Sequence, residues 1–289
     1  MDRVFFTLAS ARSGTLYLKG LFQNNIPDCH CRHEPFFDWG NPTLLGPAIY
    51  DAFAGRLDRV RALLARKRAH VDRLNASLYL ESNHAFLKSA YLVALEFFPE
   101  MRLIHLIRDP LKAAKSEANR EMWRRRVHAP FHYYRGDDGQ RHFYWALTRN
   151  EPIFKEFGAS RLSLFQLYLL QWIEIENRAI SFVKDHNLTS RCRVLHSPRD
   201  LNDPVSIKAM FDFFELKPAQ PRLVLAGRTN KSIGQTTVIT PEDEAEAGFI
   251  IQNLPARYLE IFQQEPYQSQ KWSARFRCER SATPSLAPI

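Results

Sequence analysis

The chain has 289 residues, 45% of them hydrophobic and 12% aromatic, a length and composition that suit one large domain with a substantial buried core. Forty Lys and Arg against 31 Asp and Glu give a formal charge of +9, which favours an anionic partner: a nucleotide, an acidic glycan, a nucleic acid or a membrane surface. Four cysteines, Cys29, Cys31, Cys192 and Cys278, are too few for a disulfide scaffold at this size, so a reducing, cytoplasmic setting is expected. No apolar run approaches the roughly 18 residues that a membrane span requires.

In chain order, Val4 to Leu8 is a short run of strand formers, followed by the small-residue stretch Ala9 to Thr15 and then the helical Leu16 to Phe22. From about Pro42 to Asn75 the pattern is helical, and its seven lysines and arginines from Arg56 to Arg73 predict a solvated helix face. Ser77 to Glu81 reads as a strand, Ala85 to Phe98 as a helix ended by Pro99, and Arg102 to Ile107 as a buried strand that runs into Arg108-Asp109-Pro110. Leu162 to His186 predicts a long amphipathic helix, Cys192 to His196 a last strand, Pro204 to Phe214 a helix, and Pro241 to Gln264 a further helical stretch. Strands alternating with helices predict an α/β domain over residues 1–280 with a central parallel sheet of about five strands, and residues 281–289 read as a flexible tail.

A strand that turns through small residues into a helix gathers backbone N–H groups and the positive end of the helix dipole at one point, where a phosphate can sit. Ser13, Gly14 and Thr15 would form that cradle. The Walker pattern Gly-x-x-x-x-Gly-Lys-Ser/Thr is absent, because Arg12 precedes Ser13-Gly14-Thr15 and no lysine follows Gly14. Arg108 ends the buried strand and Ser116 follows eight residues later, a second site for an anion.

In these two segments the sequence resembles the phosphoadenosine-phosphosulfate-dependent sulfotransferases. Their first loop carries Lys or Arg before Ser-Gly-Thr, and their second motif pairs an Arg with a Ser eight residues on. The similarity extends over roughly residues 3–217, through Phe98-Pro99-Glu100-Met101-Arg102 and Ser197 to Pro204 followed by Phe211-Asp212-Phe213-Phe214. Ala11 stands where many members have Pro, and Leu16 where many have a second Thr.

The resemblance implies a P-loop NTPase-like three-layer fold and 3′-phosphoadenosine-5′-phosphosulfate as donor cosubstrate, with no metal. It implies that Arg12, Ser13, Gly14, Thr15 and Leu16 hold the 5′-phosphosulfate and that Arg108 and Ser116 hold the 3′-phosphate. Asn230 and Lys231, in Gly227 to Gly234, occupy roughly the place where the family folds a basic loop over the nucleotide. Arg12 supplies a delocalised positive charge for the leaving phosphate oxygen. The acceptor class is open: glycan, lipid, phenol, peptide or small metabolite. No nucleic-acid partner is expected.

An attacking alcohol needs a base within hydrogen-bond reach. Glu34, twenty residues beyond Gly14, resembles the Glu that some members use after the first helix, and His33 is its competitor, since other members use His. Cys29, Cys31 and His33 alternate and share one face of a strand, but no fourth metal ligand accompanies them. Glu81 and Asn83 either point toward the same cleft or cap the following helix. Residues 122–145 mix Arg124-Arg125-Arg126 with aromatic side chains, as a lid over an acceptor does and as an insertion packed on the domain does. Two other functions fit parts of the pattern: a P-loop kinase, and a non-catalytic nucleotide- or polyanion-binding module.

Overall fold

A computed structural model describes residues 3–36, 40–127, 130–227 and 237–277. Along the chain run β1 (Arg3–Ala9), α1 (Thr15–Asn25), β2 (Cys29–His33), α2 (Pro47–Phe53), α3 (Leu57–Asp72), β3 (Leu78–Ser82), α4 (Ala94–Phe97) and β4 (Arg102–Arg108). Then come α5 (Pro110–Arg126), β5 (Tyr133–Arg135), β6 (Arg141–Phe143), α6 (Pro152–Lys155), α7 (Leu164–Asp185), β7 (Cys192–Ser197), α8 (Pro204–Phe213) and α9 (Pro241–Asn253). Asn230, Lys231, Cys278 and the tail 281–289 lie outside the described residues.

Side chains alternate across a strand, and β1 has to satisfy helices on both sides of the sheet. Phe5 and Ala9 pack with Leu18 and Phe22 of α1 and Phe211 of α8, while Val4, Phe6 and Leu8 join Leu111 of α5 and Trp172 of α7 in the larger core. The near-continuous apolar run of β1 follows from that double burial. The five strands lie in the order β2-β3-β1-β4-β7, and every pairing is parallel. This is an α/β fold, a parallel sheet flanked by helices. The first strand sits in the middle with its neighbours added on opposite sides, so the carboxyl ends of β1 and its partners open on a topological switch point, where α/β sheets bind ligands.

Several elements differ from the pattern read in the sequence. The helix expected over residues 85–98 is a 3-10 turn, Phe86–Lys88, followed by turns and the single-turn α4. Side chains in that stretch take distant partners: Ser89 Oγ donates to the Leu44 carbonyl at 2.8 Å and Lys88 Nζ to the Trp145 carbonyl at 2.6 Å. The helical stretch 42–75 is two helices separated at Gly55, where φ is 72°. α9 stops at Asn253, two residues before Pro255. Within 122–145, β5 and β6 form an antiparallel hairpin.

The basic face of α3 is not wholly solvated. Val60, Leu64, Lys67 and Val71 recur on one buried stripe, and Lys67 Nζ lies 2.6 Å from Glu81 Oε2 with both side chains fully buried. Tyr79 Oη and Asn83 Nδ2 also donate to that carboxylate. Glu81 is therefore a core group, held away from the cleft by its own ion pair. Asn83 Oδ1 accepts from the Ala85 amide at 2.8 Å, a local turn bond, and the 3-10 turn that follows has no side-chain cap, unlike the helix cap the sequence allowed. Breaking such a buried pair from one side costs about 3–5 kcal/mol.

Candidate functional site

β1 and β4 are neighbours, in register from Phe5 opposite Arg102 to Ala9 opposite Leu106, so the loops that follow them emerge side by side. They are also tied together. Arg12 Nε donates to Ser116 Oγ at 3.0 Å, and an Arg108 Nη donates to the Arg12 carbonyl at 2.7 Å. Ser10 Oγ and Ser13 Oγ are 3.1 Å apart inside the turn. Gly14 has φ 102°, and a Cβ there would come within 2.6 Å of a Leu201 methyl, so both backbone angle and space require glycine.

Four helices begin on a side-chain cap, and α1, α2, α3, α4 and α6 do not. Asp109 caps α5, Ser163 caps α7, Asp203 caps α8 and Thr240 caps α9, each through its side chain. At α1 the N-cap is Gly14, no side chain caps it, and its first turn carries no acidic residue. The start of a helix carries N–H groups without partners inside the helix, and here they belong to the turn Ser13-Gly14-Thr15-Leu16. Arg12 itself has φ 64°, the left-handed region. Burial lowers its pKa, opposed by Glu117, while Arg120 lowers it further and Glu34 raises it. Those neighbours mark which groups surround the guanidinium.

A second cluster of polar side chains begins where β2 ends. Glu34 has φ 43° and its side chain is 16% exposed, with His33 beside it at 19%. Trp145, just past β6, donates from Nε1 to Glu34 Oε2 at 3.0 Å. The other oxygen, Oε1, lies 3.2 Å from His84 Nε2 and 3.6 Å from His33 Nε2. His33 Nδ1 is 2.7 Å from the Ser82 carbonyl, which only accepts, so His33 donates from Nδ1. Neutral His33 therefore keeps its lone pair on Nε2, facing Glu34.

Behind this pair stand groups that the sequence reading did not single out. His84 is 1% exposed, and burial holds its pKa well below the usual histidine range, with Lys88, Arg120 and His33 adding to the effect. Lys88 is buried, its Nζ 3.0 Å from His84 Nδ1, and burial pushes its pKa down to about 7. On α5, one turn past Ser116, Arg120 donates to Glu117 Oε2 at 3.0 Å and lies over the ring of Trp145 at 5.5 Å. Burial pulls the Arg120 pKa down, but Glu117, Tyr168, Glu34 and Glu121 outweigh it and the net shift is upward.

Arg12, Ser13, Gly14, Thr15, Leu16, Arg108 and Ser116 thus surround two linked loops, and His33 and Glu34 stand together at the end of β2. Residues 133–145 are packed on the domain: Phe143 is buried, His142 is buried against Asp138, and Trp145 reaches Glu34. Cys29, Cys31 and Cys192 are free thiols, with the sulfurs of Cys29 and Cys31 2.9 Å apart. Among the described residues there is no group of three His, Cys, Asp or Glu side chains arranged to hold a metal, and no helix long and apolar enough to cross a membrane. The position of His84 was the one signal available for the missed group: it follows directly on the carboxyl end of a strand next to β1.

No family model matches the chain, and no curated protein matches it. Among solved structures it is similar to a sulfotransferase from Alicyclobacillus acidocaldarius, at 15% identity and a TM-score of 0.44, over 90% of this chain and 96% of that one. It is also similar to the sulfotransferase domain from the curacin biosynthetic pathway, at 11% identity and a TM-score of 0.44, over 96% of each chain.

Proposed function

We propose that the chain is a sulfotransferase that moves the sulfuryl group of 3′-phosphoadenosine-5′-phosphosulfate to a hydroxyl or amine. One observation carries the reading: two anion-gripping loops, Arg12 to Leu16 and Arg108 to Ser116, are joined through Arg12 and open beside a carboxylate at the end of β2. The free N-terminus of α1 suits the 5′-phosphosulfate, and the Arg108 guanidinium with Ser116 suits a 3′-phosphate. A nucleotide with phosphates at both ends has that pattern of charge.

In the transfer, the acceptor oxygen or nitrogen forms a bond to sulfur while the bond between sulfur and the bridging phosphate oxygen breaks. The acceptor's proton passes to Glu34, with His33 Nε2 as the competing base, and the electron pair of the broken bond stays on the phosphate. The products are the sulfated acceptor and the 3′,5′-bisphosphate. Arg12 balances the charge that gathers on the leaving oxygen. By analogy with phosphoryl transfer, a loose in-line transition state asks chiefly for positioning and charge.

Thermal-shift titration tests the donor assignment. 3′-Phosphoadenosine 5′-phosphate should stabilise the protein, and 5′-AMP much less. Equal stabilisation by the two nucleotides overturns the two-phosphate reading, and stabilisation by ATP with magnesium in their place points to a kinase. Transfer of radiolabelled sulfate from the donor to a panel of hydroxyl and amine acceptors then separates an enzyme from a module that only binds.

A further inference from the structure

We propose that Lys88 is a positioning residue for the transfer step: one buried ammonium holds both of the residues that hold the Glu34 carboxylate. The inference rests on the function proposed above and names a part of the same site. Glu34 Oε2 is held by the indole N–H of Trp145, and Oε1 faces His84 Nε2. Lys88 reaches both holders from behind, donating to the Trp145 carbonyl at 2.6 Å and lying 3.0 Å from His84 Nδ1.

The chemistry of the groups fixes the protons. An ammonium has only donors, so His84 Nδ1 accepts and the ring proton sits on Nε2, the nitrogen 3.2 Å from Glu34 Oε1. A neutral amine also has a lone pair able to accept from Nδ1, so the assignment is made for the charged lysine, below about pH 7, where the tautomer is to be read. His84 is thereby kept as a donor toward the carboxylate, and it does not compete with Glu34 or His33 for the acceptor's proton. The indole N–H fixes Oε2 by a hydrogen bond, and His84 Nε2 stands beside Oε1 at 3.2 Å without making one, so the two together limit the orientations Glu34 can offer the acceptor.

The contrast with the other fully buried lysine supports a functional role. Lys67 is neutralised directly by Glu81 at 2.6 Å. Lys88 is bonded to two neutral acceptors and meets its carboxylates, Glu117 and Glu34, only through space, with Arg120, Arg178 and His84 adding positive or potentially positive charge nearby. A lysine buried this way costs the fold stability. Perturbed, desolvated groups of this kind concentrate at functional sites.

The test needs no known acceptor. Side-chain ¹⁵N NMR of histidine-labelled protein reports the tautomer of His84, assigned by the signal that vanishes in His84→Gln. Neutral His84 protonated on Nε2 is the expected result, and Nδ1 protonation in the native protein overturns the proposal even if no variant folds. Lys88→Gln, which keeps an N–H donor, should preserve the tautomer, and Lys88→Met should lose it. A Lys88→Met protein with an unchanged His84 signal also overturns the proposal. With an acceptor from the panel, Lys88→Met should lower kcat by on the order of tenfold, leave stabilisation by the bisphosphate nucleotide unchanged, and move the acid limb of the pH–rate profile upward. Loss of nucleotide stabilisation in the native protein would instead strike the donor assignment, which the tautomer measurement does not touch.

Discussion

The two halves of the site are built by different means. On the proposed donor side, two short contiguous stretches follow adjacent strands, and the start of α1 is joined there by one guanidinium from each loop. On the acceptor side, a single carboxylate is placed by side chains from four separate segments: His33 beside Glu34, His84 and Lys88 after β3, Trp145 after β6, and Arg120 on α5. Gripping a phosphate needs dipoles and charge at one point. Aiming a base needs convergent side chains, and convergence comes only from tertiary structure.

Substitutions can break that comparison or sharpen it. The largest effect belongs to Arg12→Ala: single-turnover transfer should fall by about 10²- to 10³-fold, the scale for losing a donor to developing negative charge, with donor binding weakened less. If only the donor dissociation constant rises and the chemical rate is intact, Arg12 belongs wholly to binding. Next is Glu34→Gln, which keeps the side chain's size and its contact with Trp145 while removing the proton acceptor. Turnover should fall by about 10²-fold, and the acid limb of the pH–rate profile should vanish. His33→Asn is the companion variant, and an inactive Asn protein beside a near-native Gln protein would make His33 the base.

Arg108→Met tests the donor side through binding alone. Losing a charge-assisted contact worth about 1.5–3 kcal/mol should weaken the bisphosphate nucleotide by roughly 10- to 100-fold and leave 5′-AMP nearly unchanged, read by calorimetric titration. Trp145→Phe keeps an aromatic ring near Arg120 and removes the N–H to Glu34 together with part of the indole. Turnover should drop by about tenfold, with nucleotide affinity intact. A change in nucleotide affinity would mean that the two halves are energetically coupled.

The smallest effect is on stability against pH. Lys88 has its folded pKa lowered from 10.5 to about 7, so between those values the unfolded chain binds the proton and the folded chain does not. Stability from this group therefore rises with pH across that window and is lowest below about pH 7, where both states are protonated. The denaturation midpoint of Lys88→Met relative to the native protein should accordingly be higher at pH 6 than at pH 9. A difference that does not change with pH would show that Lys88 keeps an ordinary lysine pKa.

How far the sequence could be read follows from the same division. β1, the turn into α1, and the run from β4 through Arg108 to Ser116 were legible because pattern, turn chemistry and function lie in one stretch. Glu34 and His33 are singled out by their resemblance to residues that some sulfotransferases carry after the first helix, and nothing local distinguishes one from the other. The structure gives them different surroundings, since His33 is anchored on Ser82 and Glu34 is clasped from both sides. Lys67 lies in the basic run Arg66-Lys67-Arg68 and Lys88 stands alone among small and apolar residues, yet neither context shows that the lysine is buried or names its partner. One meets Glu81 across α3 and β3 and the other meets His84 and Trp145, a distinction made by contacts that no periodicity encodes. The expected helix over residues 85–98 failed for the same reason, because Ser89 and Lys88 take partners from remote loops.

Arg12 and Glu34, the two residues with the most direct part in the proposed chemistry, are both non-glycine residues in left-handed backbone, at φ 64° and 43°. Each conformation costs an L-residue about 1–2 kcal/mol that glycine would not incur. Laboratory evolution of this chain for heat tolerance alone would therefore favour glycine or asparagine at both positions, and the hardiest descendants would be the first to lose their chemistry.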